Sequence, residues 1–342
     1  MLSLLGRDRV FIIAEAGVNH NGSLETALKM VDAAAEAGAD AVKFQTFLSE
    51  KLVTKAASMA VYQKENTGKN QTQFEMLKSL ELDFKSHKKL FEYCTQKRIM
   101  FLSTPFDFES VDLLEKLGVK AYKLSSGDLN NKPFIDYVAS KNKPMILSTG
   151  MAEMDEIGEA LSWVGQHRIN DIFLLHCTTD YPAKLNEVNL RAIVSMEKAF
   201  GLPVGYSDHT EGLEVSIAAA TLGAAIIEKH FTLDRNMEGP DHKASLEPHS
   251  LKQMIDSIRN IELALGDGIK RITPGESAVI NNARKSVTAA CTIEEGEVIE
   301  FRHLEIKRPG TGIPPKYMEQ LIGKKVNKKI NEDQTIGWDD IE

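Results

Sequence analysis

Short apolar runs alternate with helical patterns along the first three quarters of the chain, and this alternation restricts its fold more than any other feature. The eight runs, rich in Val, Ile and Leu, are residues 10–14, 41–44, 99–102, 121–124, 144–147, 172–175, 203–205 and 225–228. Apolar residues recur at three-to-four spacing in the segments 24–37, 84–97, 108–117, 154–166, 213–222 and 250–265. Strands that alternate with helices form parallel sheets. Eight such units within about 250 residues predict a (β/α)8 TIM barrel.

The alternation stops near residue 265, which indicates a second, smaller domain. We predict a barrel domain over residues 1–265, a linker over 266–282 and a small domain over 283–342, where short β-like stretches and turns follow one another. Between the second and third apolar runs lies a long polar connection that includes residues 62–68. Connections of this length often cover functional sites.

Composition excludes several classes of partner. The net charge of -8 gives no basic surface for nucleic acid or for an anionic membrane, so an anionic substrate must be bound by a local group of Lys and Arg. The three cysteines include no CxxC pair, which is typical of a reducing compartment. The first fifteen residues lack the pattern of a signal peptide, and no run of about 18 apolar residues occurs. We therefore expect a cytoplasmic protein.

Polar residues end every one of the apolar runs. The active site of a TIM barrel is built at the carboxyl ends of its strands, so these residues are the candidates. In chain order they include Glu15, Lys43, Gln45, Ser103, Thr104, Lys123, Ser126, Asp128, Ser148, Thr179, Tyr181, Ser207, His209, Glu228 and His230. A barrel with a purely structural role would not need polar groups at every strand end.

Two of these residues, His209 and His230, end neighbouring strands, so their imidazoles can converge on one point. Two neutral nitrogens suit Mn, Fe, Co or Zn, and the carboxylates of Glu15 and Asp241 can complete or support the shell. The alternative is that each histidine is simply packed or hydrogen-bonded.

Lys43 and Lys123 end the second and fourth runs, near Thr104, Ser126 and Ser148. Ammonium and hydroxyl groups together can surround a phosphate and a carboxylate. One alternative is that both lysines reach solvent. Another is a Schiff-base lysine, as in barrel aldolases, but that interpretation leaves the two histidines unexplained.

Asp128 follows Ser126 at the end of the fourth run. It can act as a general acid or base if burial adjusts its pKa. Its alternative role is that of a turn or helix-capping residue before Asn130 and Asn131.

Nine stretches of the sequence together resemble the sialic acid synthase (NeuB) family, in the same order along the chain. They are residues 14–22, 42–46, 103–106, 121–128, 175–178, 205–210, 228–232, 239–242 and 307–312. The resemblance implies a TIM barrel followed by a small C-terminal antifreeze-like (SAF) domain. It implies a homodimer that swaps these domains, so that each one covers the partner's barrel. The implied reaction condenses phosphoenolpyruvate with N-acetylmannosamine and water to give N-acetylneuraminate and phosphate.

The same resemblance implies roles for single residues. His209 and His230 look like ligands of a Mn or Mg ion that polarises the open-chain aldehyde of the sugar. Phosphoenolpyruvate would be held by Lys43, Thr104, Lys123, Ser126, Ser148 and Ser207, and the sugar would meet Tyr181, Asp241 and the partner subunit's Arg308. Gln45 and Thr179 also belong to the expected substrate-binding residues, and Thr179 stands where some members carry asparagine. Asp128 and Glu15 are the expected catalytic carboxylates, and Asp128 stands where many members carry glutamate.

Other functions remain open from the sequence alone. The nearest is the same reaction on 2,4-diacetamido-2,4,6-trideoxymannose, which gives N,N'-diacetyllegionaminate. A metal-dependent barrel hydrolase would usually carry a pair of histidines after its first strand, where His20 stands alone. A carbohydrate-binding or ice-binding protein built around the C-terminal domain would not account for the polar residues of the barrel.

Overall fold

The structure is a computed structural model that describes residues 9–169 and 171–342. Residues 1–8 lie outside the described residues. They belong to the predicted barrel domain and to the fifteen residues compared above with signal peptides. The chain divides into two compact units, Met1–Gly266 and Asp267–Glu342. Among the described residues, no helix has both the length and the apolar character that crossing a membrane requires.

The first unit contains eight parallel strands that form a TIM barrel. They are β1 (Phe11–Gly17), β2 (Ala41–Thr46), β3 (Met100–Pro105), β4 (Tyr122–Leu124), β5 (Met145–Ser148), β6 (Ile172–Cys177), β7 (Val204–Asp208) and β8 (Ile226–His230). Hydrogen bonds join them in the order β3-β2-β1-β8-β7-β6-β5-β4, and contacts between β3 and β4 complete the ring. Each strand overlaps a predicted apolar run, and most continue past its end, because backbone pairing does not stop at the first polar side chain.

Helices surround the barrel. They are α1 (Leu24–Ala37), α2 (Ser49–Leu52), α3 (Val61–Thr67), α4 (Gln73–Leu80), α5 (Phe84–Lys97), α6 (Phe108–Leu117), α7 (Lys132–Ala139), α8 (Met154–Val164), α9 (Arg191–Phe200), α10 (Glu214–Thr221) and α11 (Pro248–Leu265). Side-chain caps begin several of them: Ser23 accepts a bond from Thr26 N, and Asp107 accepts one from Ser110 N. Gly38, with a φ of 87°, ends α1 in the left-handed region that glycine adopts without strain.

The polar connection between the second and third runs is folded into α2, α3 and α4. Thr72 and Glu75 form a capping box at the start of α4. The apolar side of this inserted segment, including Met76, Leu77 and Leu80, packs into a small cluster with Val18. The connection therefore has a core of its own at the carboxyl end of the barrel.

The second unit is a small domain with its own core. It contains α12 (Pro274–Ala283) and two antiparallel strands, β9 (Ser286–Ala289) and β10 (Leu304–Lys307). Its buried cluster includes Val287, Ile299 and Ile336. Most of α12 lies within the span that the sequence predicts as a linker. The helix forms there because Thr273 and Glu276 make a capping box and Pro274 stands at its first position.

Candidate active site

The inward-facing side chains of the barrel are apolar along the strands and polar at the carboxyl ends of the strands. Phe11 and Ile13 of β1 and Ala41 of β2 belong to a buried cluster that takes side chains from most of the strands. Side chains two residues apart on a strand point to the same face. Glu15 and Lys43 therefore continue the inward-facing rows, and the register pairs them directly. The same step repeated around the barrel brings the polar residues together at the carboxyl ends of the strands.

These residues line a cavity of about 330 Å³. Thirteen of the fifteen predicted site residues contribute to its wall: Glu15, Lys43, Gln45, Thr104, Lys123, Ser126, Ser148, Thr179, Tyr181, Ser207, His209, His230 and Asp241. The remaining two, Asp128 and Arg308, are not among the residues that line it. The roles that the resemblance implies for all fifteen stay predictions.

Two lysines and two glutamates form the deepest part of the cavity. Lys43 Nζ lies 2.7 Å from Glu15 Oε2 and 3.8 Å from Glu228 Oε2. Lys43 also donates a hydrogen bond of 2.9 Å to Thr104 Oγ1. Lys123 Nζ lies 3.7 Å from Glu228 Oε1 and donates to Ser148 Oγ at 2.6 Å. Opposite charges at these distances offset part of the cost of burying each ionised group.

The pKa values of these four groups separate the two carboxylates. Burial raises the pKa of Glu15. Burial also acts to raise the pKa of Glu228, but the ammonium groups of Lys123 and Lys43 outweigh it, so this pKa is lowered. Burial lowers the pKa of Lys123, whereas the carboxylates of Glu15 and Glu228 overcome the same effect at Lys43 and raise its pKa. Glu228 is therefore the permanent counter-ion of the lysines, and Glu15 is the carboxyl group that takes up a proton more readily.

His209 and His230 lie on neighbouring strand ends, with ring centroids 5.5 Å apart. His209 Nδ1 is 2.6 Å from the carbonyl oxygen of Thr178, so Nδ1 must carry the proton and Nε2 the lone pair. Ser207 lies 3.3 Å from that Nε2 but donates its single hydroxyl proton to Glu228. The Nε2 lone pair of His209 is therefore free.

His230 Nδ1 is buried and has no hydrogen-bond partner among the described residues. Burial lowers the pKa of both His209 and His230, which keeps the imidazoles neutral. Neutral imidazoles with free lone pairs are the form that binds a divalent metal, so the pair fits such an ion. Within the described part of the chain, no group of three or more His, Cys, Asp and Glu side chains is placed to hold a metal. Water or substrate would have to supply the other ligands.

Aromatic rings and a second carboxylate form one side of the cavity. The ring of Tyr181 packs against His209 at a tilt of 35°, with centroids 4.2 Å apart, and stacks with Tyr62 at 5.4 Å. Burial raises the pKa of Asp241 to about 6. A side chain at Gly150 would collide with Thr179, so the absence of a Cβ there leaves room for the cavity wall. This side offers stacking surfaces and one carboxyl group to a polar ligand.

Another part of the cavity wall is apolar. The inserted segment and the end of β3 contribute side chains that we call the apolar wall: Leu52, Val53, Met76, Leu77, Leu80 and Phe106. The cavity therefore presents a charged floor together with a surface suited to methyl groups.

The other two predicted site residues are Asp128 and Arg308. Asp128 directly follows Gly127, which lines the cavity, but its carboxylate accepts a hydrogen bond of 3.2 Å from Asn131. Burial raises the pKa of Asp128. Arg308 is exposed and belongs to the second unit.

Sequence reasoning did not assign functional roles to Glu228, Tyr62 and Gln73, which also line the cavity. Glu228 stands two residues before His230 on β8, so strand alternation alone would have placed both side chains on the inner face. Tyr62 and Gln73 belong to the inserted segment, whose length indicated that it covers a site, but no local pattern singles out these two side chains.

Comparison with known proteins identifies related chains. The NeuB family model matches residues 30–270, and the SAF domain model matches residues 284–342. The N,N'-diacetyllegionaminic acid synthase of Campylobacter jejuni is 50% identical over 331 residues, which cover 96% of this chain and 99% of that protein. The protein of the same name from Legionella pneumophila is 44% identical and covers 97% of this chain and 94% of its own length.

A solved structure shares the same architecture. The N-acetylneuraminic acid synthetase of Leptospira borgpetersenii aligns with a TM-score of 0.70 at 36% identity, over 80% of this chain and 90% of that one. The matching models span most of both units, and the relatives extend over nearly the full length. A barrel with this polar mouth, followed by this small domain, is thus shared with these relatives, and the chain belongs to the NeuB family.

Proposed function

We propose that this protein condenses phosphoenolpyruvate with 2,4-diacetamido-2,4,6-trideoxymannose and water to give N,N'-diacetyllegionaminate and phosphate. The observation that carries the proposal is the cavity in which two buried lysines, two glutamates and two neutral imidazoles converge. The lysines can bind an anionic substrate, and the imidazoles can hold an ion that polarises an aldehyde in the same cavity.

Phosphoenolpyruvate is assigned to the lysine side of the cavity. Lys43 and Lys123 provide ammonium groups, and Thr104, Ser126, Ser148 and Ser207 provide hydroxyl groups around them. Charge-assisted hydrogen bonds from such groups are the usual means of holding phosphate and carboxylate oxygens. An incoming anion also favours protonation of Glu15, whose pKa burial already raises. The floor can thereby shift toward positive charge when the substrate binds.

The two imidazoles are assigned to a divalent ion, Mn or Mg. When bound, such an ion would supply Lewis-acid polarisation of the sugar's aldehyde oxygen. His209 is fixed by Thr178 O, and its free Nε2 faces the same space as His230.

The reaction requires four changes of bonding. C3 of phosphoenolpyruvate forms a bond with the aldehyde carbon, whose oxygen takes up a proton to become a hydroxyl group. C2, now electron-deficient, is attacked by water, and a carboxylate accepts the water's proton. Cleavage of the bond from C2 to the phosphate oxygen then releases phosphate, which takes the proton of the C2 hydroxyl group, and the keto group remains.

The carboxylate that accepts the proton is assigned to Asp128, with Glu15 as the second catalytic carboxylate. Burial raises the pKa of both groups. A raised pKa brings a carboxyl group nearer to the range that is efficient for proton transfer around neutral pH. The Asp128 carboxylate accepts one hydrogen bond from Asn131, and Asp128 adjoins Gly127 of the cavity wall.

The choice of sugar rests on the relatives and on the apolar wall. The sequence alone put N-acetylmannosamine first, and the two N,N'-diacetyllegionaminic acid synthases now favour the alternative. The trideoxy sugar carries methyl groups at C6 and on a second acetamido group, where N-acetylmannosamine carries hydroxyl groups. A hydroxyl group against the apolar wall would lose its hydrogen bonds to water without replacement. Tyr181, Thr179, Gln45 and Asp241 are assigned to the polar side of the sugar.

The proposed active form is a domain-swapped homodimer in the cytoplasm. In it the small domain, from about residue 283 onward, follows the linker and covers the partner's barrel, and the partner subunit's Arg308 meets the sugar. A guanidinium group offers a planar set of donors that suits an acetamido carbonyl group.

One experiment tests the proposed reaction. The protein is incubated with phosphoenolpyruvate, Mn²⁺ and one sugar at a time: the diacetamido-trideoxy sugar, N-acetylmannosamine, or 2-acetamido-2,6-dideoxymannose, which differs from N-acetylmannosamine only at C6. Phosphate release and product mass are measured, with reactions lacking sugar as controls. We expect the first sugar to give the highest kcat/KM. If none of the three sugars leads to phosphate release, the proposal is overturned and a carbohydrate-binding role is favoured.

A further inference from the structure

Directly behind the two histidines lies a buried ion pair that the proposed reaction does not use. Lys229 Nζ is 2.9 Å from Asp208 Oδ2, and both side chains are 0% exposed. Asp208 precedes His209 at the end of β7, and Lys229 precedes His230 on β8. Because successive side chains on a strand point to opposite faces, the ion pair faces the helix layer while the histidines face the cavity.

Hydrogen bonds surround this ion pair on every side. Asp208 Oδ1 accepts bonds from Thr210 N at 2.9 Å and from Thr210 Oγ1 at 2.7 Å. Asp208 Oδ2 accepts a bond of 2.6 Å from Ser216 Oγ of α10. Lys229 Nζ donates to the carbonyl oxygen of Thr210 at 2.7 Å. The network thus joins the ends of β7 and β8 to each other and to α10.

The two histidines depend on this network to different degrees. The ring of His209 has a second anchor, the carbonyl oxygen of Thr178. The Nδ1 atom of His230 has no partner among the described residues, so its ring lacks that kind of anchor. His230 is therefore held by the packing of its ring against Tyr181 and His209 and by its backbone, which adjoins Lys229.

From this geometry we infer that Asp208 and Lys229 are positioning residues, which hold His209 and His230 at the spacing needed to bind one divalent ion. The inference rests on the proposed function, because it assumes that the two imidazoles share an ion. Partners that orient metal ligands from behind typically contribute about 10-fold to 100-fold in metal affinity. A buried pair also retains its geometry better than an exposed pair, since water cannot replace its bonds.

The test measures Mn²⁺ binding by the whole protein, using the electron paramagnetic resonance signal of free Mn²⁺, at a temperature where circular dichroism shows each variant folded. Lys229→Met removes the ammonium group and keeps the length of the side chain. Lys229→Arg keeps a cation beside Asp208. Met254→Ala, at a fully buried position on α11, is a destabilising control at a residue that makes none of the network's hydrogen bonds.

We expect Lys229→Met to weaken Mn²⁺ binding about 10-fold to 100-fold. Lys229→Arg should retain most of the affinity, and Met254→Ala should retain all of it despite a lower melting temperature. Equal Mn²⁺ affinity in Lys229→Met and the unmodified protein would overturn the positioning role alone. No Mn²⁺ binding by the unmodified protein would overturn both the metal assignment and this inference.

A second variant decides the matter if Lys229→Met does not fold. Ser216→Ala removes one hydrogen bond to Asp208 and leaves both charges in place. We expect it to weaken Mn²⁺ binding by up to about fivefold, which corresponds to the roughly 1 kcal/mol that one hydrogen bond contributes. Unchanged affinity in this variant would then overturn the inference.

Discussion

Lys123 and Glu228 face each other across the cavity floor, with the ammonium nitrogen 3.7 Å from a carboxylate oxygen and both side chains 4% exposed. Lys123→Met should raise the KM for phosphoenolpyruvate about 10-fold to 150-fold, because a charge-assisted hydrogen bond contributes about 1.5–3 kcal/mol. Steady-state phosphate release measures this effect. Lys120→Met, at an exposed position on the same segment, is the matched control and should leave KM unchanged. An unchanged KM in Lys123→Met would remove this lysine from the binding site.

Activity should depend on a divalent ion bound by His209 and His230, since an aldehyde is a weak electrophile without polarisation. Chelation with EDTA should abolish phosphate release, and added Mn²⁺ should restore it. The double variant His209→Ala/His230→Ala should stay inactive after Mn²⁺ is added, whereas His249→Ala, at an exposed position, should respond normally. Full turnover by the double variant would contradict the metal assignment.

Asp128→Asn should lower kcat about 100-fold to 10,000-fold, the usual contribution of general acid-base catalysis, and should change KM little. Glu15→Gln is measured in parallel, because Glu15 lines the cavity and Asp128 does not. A near-normal kcat in Asp128→Asn together with a large loss in Glu15→Gln would assign water activation to Glu15. Asp128 would then be a turn residue that binds Asn131.

The free energy of unfolding should depend on pH through the protonation of Asp241. Burial raises its pKa from 3.8 to about 6, so the folded protein holds a proton that the unfolded chain has already lost between these pH values. The stabilisation from this proton is complete below pH 4 and is lost as the pH rises through 6. Asp241→Asn should therefore raise the free energy of unfolding at pH 8 by up to about 3 kcal/mol, and by much less near pH 4. Thermal melts at both pH values measure the difference, and an equal shift at both would contradict the raised pKa.

Mixed dimers test whether two chains share a site. Asp128→Asn chains and Arg308→Ala chains, each inactive alone, should regain part of the activity when mixed, because some dimers then hold one intact composite site. Mass spectrometry of differently labelled chains verifies that subunits have exchanged. No recovery after verified exchange would show that each site is built within one chain.

Much of the barrel and most of its mouth could be predicted from the sequence. Apolar runs placed the strands, and the rule that TIM-barrel sites lie at carboxyl ends led to Lys43, Lys123, His209 and His230. All four line the cavity. The physical reason is that strand alternation is a local property of the sequence, whereas the barrel fold brings the carboxyl ends of all its strands to one face.

Tertiary effects limited the rest of the prediction. The inserted helices α2 to α4 lie in a stretch that is mostly polar, and their burial depends on packing against Val18 and Phe106, which are distant in sequence. Asp128 ends a short 3-10 turn, Ser126–Asp128, and its carboxylate accepts a hydrogen bond from Asn131 instead of lining the cavity. Neither effect has a periodic signal.

The register that pairs Glu15 of β1 with His230 of β8 has a consequence for how the enzyme is made. On the ribosome, β1 emerges long before β8, so one of its edges waits unpaired until the chain has been synthesised past residue 230. A nascent chain released early would contain both lysines but lack His230. It would lack half of the histidine pair, so the proposed ion site is complete only after the last strand of the barrel has been synthesised.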